Sequence, residues 1–261
     1  MTKQSPKAAA SEASLHQHLS KIFPGCRKFP YWNRVGVVAS GTGVYLGNGF
    51  VLTAGHVGPG HFVQKGGRLY PLVPNSARVY ANSDGSLTDL CVFKVVIPKN
   101  SPLSRAEQLP VQLENLAPNT DILMIGAGYA RGKRSVQWID DQQVRWGMNK
   151  TDHVGHVPFQ DNQSRTKGFL TGFGQGPMGC QGAPGDSGGA VFHYDYKTAQ
   201  WKLSGLIIAS TSHPDAGYTK LEDRTFIASL EPMRAPPVNP QPQQFSMVPK
   251  RQNRTMLAAA R

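Results

Sequence analysis

From Val35 onward the apolar positions come in short runs punctuated by Gly, Asn and Pro. Val35-Gly36-Val37-Val38, Gly43-Val44-Tyr45-Leu46 and Phe50-Val51-Leu52-Thr53 predict a strand followed by a hairpin. Arg68 to Val73 and Ala77 to Ala81 predict two more strands, with limits blurred by Pro71 and Pro74. Leu90 to Ile97 predicts a strand ended by Pro98, and the Pro- and Asn-rich residues 98–119 read as a long connection between two halves. A second series follows at Ile122 to Ala127, Ser135 to Ile139, Gly168 to Phe173, Gly189 to Tyr194 and Leu203 to Ala209. Thr225 to Met233 predicts a short closing helix. Many short strands at near-regular spacing, in two runs, predict an all-β barrel or pair of barrels.

The ends of the chain read differently. Leu15, Leu19, Ile22 and Phe23 have helical spacing and predict a short amphipathic helix that stops before Pro24-Gly25. Residues 1–13 are Lys-, Ala- and Ser-rich, and 1–34 as a whole reads as a loosely attached basic N-terminal arm. From Ala235 the chain turns Pro- and Gln-rich and then basic, so 235–261 reads as an extended, disordered tail. A single folded domain over 35–234 is the resulting division.

Charge sharpens it. The formal net charge is +12. Residues 1–34 hold six Lys and Arg against one Glu, and 234–261 hold five against no acid, so only +2 remains for the middle. The basicity therefore belongs to the tails, which offer themselves to polyanions. A nucleic-acid-binding core would carry its own basic face, so nucleic acid is not the expected partner of the core. No apolar run approaches the roughly 20 residues that span a bilayer. Residues 1–13 lack the apolar stretch of a secretory signal, and the compartment stays open. Three cysteines, Cys26, Cys91 and Cys180, allow at most one disulfide and do not make a disulfide framework. Cys91 lies in an apolar run and reads as a buried small hydrophobe.

The candidate chemistry centres on Gly185-Asp186-Ser187-Gly188-Gly189, just before an apolar strand. Glycines permit tight backbone geometry that points successive N–H groups at one spot beside the Ser187 hydroxyl, and such a spot suits an oxyanion. A nucleophilic serine needs a base, and the base needs an orienting group. Among eight histidines, His56 stands out because Val51-Leu52-Thr53-Ala54-Gly55-His56-Val57 carries it just past a buried strand. Asp84 sits in the turn signal Asn82-Ser83-Asp84-Gly85 and is explained by that turn. Asp89, directly before Leu90-Cys91-Val92-Phe93, is the better orienting carboxylate, because a buried acid there requires a partner such as an imidazole N–H.

Thr53-Ala54-Gly55-His56-Val57, Asp89-Leu90 and Gly185-Asp186-Ser187-Gly188-Gly189, in that order, resemble the trypsin-like (chymotrypsin-fold) serine proteases. Leu203-Ser204-Gly205-Leu206-Ile207 and Gly217-Tyr218-Thr219-Lys220-Leu221 extend the likeness, which covers about Val35 to Leu230. Within that family, Gly43 to Thr53, Arg145-Trp146-Gly147 and Ala183 to Val191 look most like bacterial predicted trypsin-like peptidases. The resemblance implies two packed six-stranded antiparallel β-barrels with the site between them. It implies Ser187 as nucleophile, His56 as general base and then acid, Asp89 as orienting carboxylate, and the Gly185 and Ser187 N–H groups as oxyanion hole. It also implies a polypeptide substrate, no cofactor and no metal, and it suggests a secreted or periplasmic setting.

The sequence departs from the family in three ways. Relatives activated by clipping pair a new N-terminal amine with the acid before the serine, here Asp186. Arg34-Val35-Gly36-Val37 lacks the usual form of that processed start, so Asp186 is expected to find a backbone donor or a basic side chain instead. The cysteine pair that often brackets the catalytic histidine is absent, and Gly55 replaces the commoner alanine. By motif position Gln181 would form the floor of the primary specificity pocket, with Ile208, Ala209 and Ser210 along the wall that receives substrate backbone. Without an acid there, cleavage after Lys or Arg is not expected, and a small uncharged or polar residue is.

Two further signals are weaker. His153-Val154-Gly155-His156 has metal-like spacing but no joining carboxylate or cysteine, so it reads as surface loop. Asn149-Lys150-Thr151, Asn162-Gln163-Ser164 and Asn253-Arg254-Thr255 are glycosylation triplets of a kind that arises often by chance. The competing function is a non-catalytic binding module on the same fold that uses its basic arms on polyanions. A salt-sensitive gel shift lost on removing 1–34 and 235–261 would be its mark.

Overall fold

The computed structural model describes residues 12–26, 28–131, 138–139, 143–160, 164–172, 179–210 and 224–240. Among these residues it holds one α-helix, α1 (Glu12–Ile22), and sixteen strands. The first series is β1 (Val35–Val38), β2 (Gly41–Gly47), β3 (Phe50–Ala54), β4 (Phe62–Gln64), β5 (Arg68–Tyr70), β6 (Arg78–Ala81) and β7 (Leu87–Lys94). The second is β8 (Asp121–Gly126), β9 (Ala130–Arg131), β10 (Trp138–Ile139), β11 (Arg145–Lys150), β12 (His153–Gln160), β13 (Arg165–Gly172), β14 (Ala190–Asp195), β15 (Gln200–Ser210) and β16 (Arg224–Ser229).

These strands make two seven-stranded sheets, ordered β5-β4-β1-β2-β3-β7-β6 and β11-β8-β14-β15-β16-β13-β12, with β9 and β10 as a separate ribbon. The strand pairs are antiparallel throughout. The first sheet curls back on itself. Past β5, Val73 N–H donates to the Lys94 carbonyl, and Val96 N–H to the Pro71 carbonyl. Each sheet has seven strands where the resemblance implied six, and β4, β11 and β12 have no strong apolar run to announce them.

Strand periodicity explains why the best runs are continuously apolar. Along β7, Leu90 and Val92 join the core shared by the two sheets, while Cys91 and Phe93 point into the interior of the first. Along β8, Leu123 and Ile125 face the shared core and Ile122 and Met124 the interior of the second. Both faces of these strands are covered, so alternation in direction brings no alternation in polarity.

Several expectations are corrected. Thr225 to Met233 is not a helix. Its first part is β16, paired with β13 and β15, and only Glu231–Arg234 forms a 3-10 turn. Residues 12–34 are not a loose arm. Leu15, Leu19 and Phe23, one helical stripe, are buried, and Phe23 and Phe29 pack edge-on against Trp201 with ring centroids 4.7 and 5.2 Å apart. The Trp201 indole N–H points to Cys26 Sγ at 3.1 Å. His153 to His156 lies in β12, not in a loop. Of the C-terminal tail, Val238 adds a bridge to β6 through a reciprocal pair of hydrogen bonds with Val79. Residues 135–137 of one expected strand and the stretch Gly217 to Leu221 lie outside the described residues.

Candidate active site

The first sheet supplies His56 and Asp89. Strand β3 ends at Ala54 beside Leu90 of β7, so the residues just past one strand and just before the apolar centre of the other are neighbours. Gly55 N–H donates to the Asp89 carbonyl at 2.9 Å. A Cβ on residue 55 would sit 2.9 Å from Asp89 Oδ1, so glycine permits the close approach. Asp89 then gives both carboxylate oxygens to one residue. Oδ2 lies 2.6 Å from His56 Nδ1 and Oδ1 accepts the His56 backbone N–H at 2.7 Å. The Asp89 side chain is 3% exposed and that of His56 19%, so the acid is sealed while the imidazole keeps an open side. A bond across from the second sheet, Asp89 N–H to Thr166 Oγ1 at 2.8 Å, steadies the acid's backbone. Asp84 does what its turn predicts, with Oδ1 capping Ser86 N–H and Oγ.

The second sheet supplies the nucleophile turn, between the loop at 179–184 and β14. Gly188 has φ +85, and a Cβ there would lie 2.0 Å from the Thr42 carbonyl and 3.0 Å from Ala54 N, so only glycine fits. This contact sets Ser187 against the end of β3, one turn from His56. Ser187 is half-buried, and its hydroxyl has no hydrogen-bond partner among the described residues. Neither the Gly185 nor the Ser187 N–H has a protein acceptor among those residues.

Asp186 finds backbone donors. Its Oδ1 accepts from Gly128 N–H at 2.7 Å and its Oδ2 from Ala183 N–H at 2.8 Å. The carboxylate lies under Gly126 and Gly128, where a Cβ would come within 2.1 and 2.5 Å of Oδ1. That enclosure pushes the carboxyl up to about 6 by desolvation, against the pull of the two N–H groups and of the Arg145 charge. Both carboxylate oxygens are thus bonded within the chain. Arg34 is 8% exposed, its guanidinium donates to the Glu107 carbonyl, and Val35 is buried between β2 and β4, so the folded chain shields the Arg34–Val35 bond.

Of the expected specificity pocket, Gln181 is half-buried, and its amide nitrogen is enclosed without a partner among the described residues. Ile208 is 2% exposed and packs into the shared core, so it offers backbone and not side chain, whereas Ala209 and Ser210 are half-buried at the end of β15. Neighbouring residues 173–178 and 211–223 lie outside the described residues. Burial pushes the thiols of Cys91 and Cys180 up to about 12, which keeps them protonated. Asn149 is buried and gives its amide N–H groups to the Gly172 and Cys180 carbonyls, so in the folded chain that triplet is structural. Among the described residues no group of His, Cys, Asp and Glu could hold a metal ion, and no helix is long and apolar enough to cross a membrane.

Thr42 is the residue that sequence reasoning missed. It is fully buried in β2 and bonds to Ser187, Gly185, Ala127 and Thr53. Its only sequence mark is the pair of glycines around it, Gly41-Thr42-Gly43, which lets other backbone come close.

Two antiparallel sheets, the first curled back on itself, with His56 and Asp89 from one and a glycine-bound serine turn from the other, have the architecture of the chymotrypsin-like protease fold. One known structure bears out the fold. The Rv3671c protease in its inactive form superposes with a TM-score of 0.50 at 13% identity, over 88% of this chain and 96% of that one. The NS6 protease from murine norovirus 1 aligns at 13% identity over 76% of this chain and 90% of its own, with a TM-score of 0.47. By sequence, neither a protein-family model nor a curated protein matches the chain.

Proposed function

We propose that this chain is a serine endopeptidase that works through Ser187, His56 and Asp89. The observation that carries the reading is the His56–Asp89 pair. A carboxylate sealed from water, 2.6 Å from Nδ1, holds the imidazole so that Nε2 is the free, basic nitrogen. Ser187 Oγ attacks the substrate carbonyl carbon and its proton passes to His56 Nε2. The C–N bond then breaks as Nε2 returns that proton to the leaving amine, leaving an ester on Ser187. Water repeats the sequence, releasing the acid and restoring the hydroxyl. The free N–H groups of Gly185 and Ser187 would receive the developing oxyanion. The Ser187 hydroxyl, without a partner among the described residues, is compatible with this role, because nucleophile–base contacts tighten when substrate binds. The serine class is favoured over a cysteine nucleophile because Ser187 holds that position and the Cys91 and Cys180 thiols stay protonated.

For specificity, the reading is cleavage after a residue other than Lys or Arg. Gln181 stands where a buried acid would be needed, and Ala209 and Ser210 bring no charge. A fluorophosphonate probe tests the chemistry. Wild-type protein should be labelled and Ser187→Ala should not. An unlabelled wild type, or label that survives the substitution, would sink the proposal. Cleavage of a peptide library by the labelled-competent enzyme then reads the pocket.

A further inference from the structure

We infer that Thr42, a residue of the first sheet, is a positioning residue for the oxyanion hole of the second. The inference rests on the proposed protease reading and deepens it. Gly185 N–H belongs to the Pro184–Gly185 peptide, whose carbonyl accepts from Tyr129 N–H at 2.8 Å. The next peptide is held through the Gly185 carbonyl, which accepts from Thr42 Oγ1 at 2.9 Å. The one after is held by Gly189 N–H on the Asp186 carbonyl at 2.7 Å. No cis peptide is present among the described residues, and in a trans peptide the N–H points opposite to the C=O. Pinning three successive carbonyls therefore aims the Gly185 and Ser187 N–H groups, which stay free of protein acceptors.

Of these three holds, the one from Thr42 is made by a side chain, and it reaches across the two sheets. The remaining groups of Thr42 make the hold rigid. Its N–H donates to the Ser187 carbonyl at 2.8 Å, its Oγ1 accepts from Ala127 N–H at 2.9 Å, and its carbonyl accepts from Thr53 Oγ1 at 2.7 Å. With its one proton spent on Gly185 and a lone pair on Ala127, the hydroxyl has a single rotamer that satisfies both. Gly185 has φ +86, and glycine alone would let its flanking peptides turn over at little cost. The Asp186 N–H, bonded to the Ala183 carbonyl at 3.0 Å, holds one end of the Gly185–Asp186 peptide, and the Thr42 hydroxyl holds the other.

The test compares Thr42→Val, which keeps the branched shape and loses the hydroxyl, with Thr42→Ser, which keeps the hydroxyl. Rates are normalised to sites titrated by the fluorophosphonate, so a partly unfolded preparation does not distort them. Thr42→Val should lower kcat about 10- to 100-fold with KM little changed, since loss of one oxyanion donor outright costs on the order of 10²–10³. It should weaken a peptide aldehyde, which forms the oxyanion, far more than the matching peptide amide. Thr42→Ser should recover most of the rate. Wild-type kcat per titrated site in Thr42→Val, an equal loss in both variants, or a change confined to KM would overturn the inference while leaving the protease reading intact. A wild type that neither labels nor hydrolyses would overturn the protease reading itself.

Discussion

Asp89 spends both oxygens on His56, one on the ring and one on the backbone N–H. An amide at this position would keep the shape and the backbone bond but reverse the polarity toward Nδ1. Asp89→Asn would therefore hold the imidazole in the wrong tautomer, with the proton on Nε2. Turnover of a peptide substrate should fall about 10⁴-fold at neutral pH, with the melting temperature little changed; a loss below tenfold would remove Asp89 from the mechanism. The candidates His56, Asp89 and Ser187 stand out in the sequence because each lies in a short motif at the end of an apolar run. Thr42 and the partners of Asp186 do not. Their bonds go to backbone groups, and the Thr42–Gly185 contact spans 143 residues, so no residue type marks the far end.

Helix α1 and the segment after it show how an element can be read correctly and placed wrongly. The stripe Leu15, Leu19, Phe23 fixes a helix with one apolar face, but composition alone made the surrounding segment look solvated. The structure supplies what that face lacked, an outer surface of β14 and β15 carrying Phe192, Tyr194 and Trp201. Phe23→Ala would open a cavity beneath Trp201 and should cost about 3–5 kcal/mol in urea unfolding, whereas an arm merely resting on the sheet would cost less than about 1 kcal/mol. The strands divide by the same physics. Runs buried on both faces, such as Leu90 to Phe93, announce themselves. The sequences of β11, Arg-Trp-Gly-Met-Asn-Lys, and of β12, with its two histidines and Pro158, hide. At β16 the run Thr225-Phe226-Ile227-Ala228 is too short for its period to separate strand from helix. Pairing with β13 and β15 decides it.

The whole molecule carries two buried titratable groups whose shifts oppose each other. Desolvation raises Asp186 from 3.8 to about 6, against its two N–H donors and Arg145. Desolvation lowers His193 from 6.5 to about 4, with Asp195 pulling it up and Lys202 pushing it further down, and the ring sits 2.7 Å from Ser204 Oγ. For Asp186 the folded state binds the proton more tightly than the unfolded chain. Its contribution to stability is present below about pH 4 and is lost as pH rises through about 6. For His193 the unfolded chain binds the proton more tightly, so its contribution is present above about pH 6.5 and is lost as pH falls through about 4. The two windows nearly coincide and the signs are opposite, so these groups largely cancel and hide each other in the intact protein. Removing one should unmask the other. His193→Gln should make the protein lose up to about 3 kcal/mol between pH 4 and pH 7 where wild type stays nearly flat, since the roughly two pKa units of linkage from Asp186 are then no longer offset. Asp186→Asn should tilt the difference the other way, with stability falling toward acid. Urea unfolding of the three proteins at pH 4, 5, 6 and 7 reads this directly. Profiles that run parallel to wild type in both variants would mean that neither group is shifted in the folded state. Opposite tilts would show that desolvation in the nucleophile turn is balanced by desolvation within β14, in the same sheet.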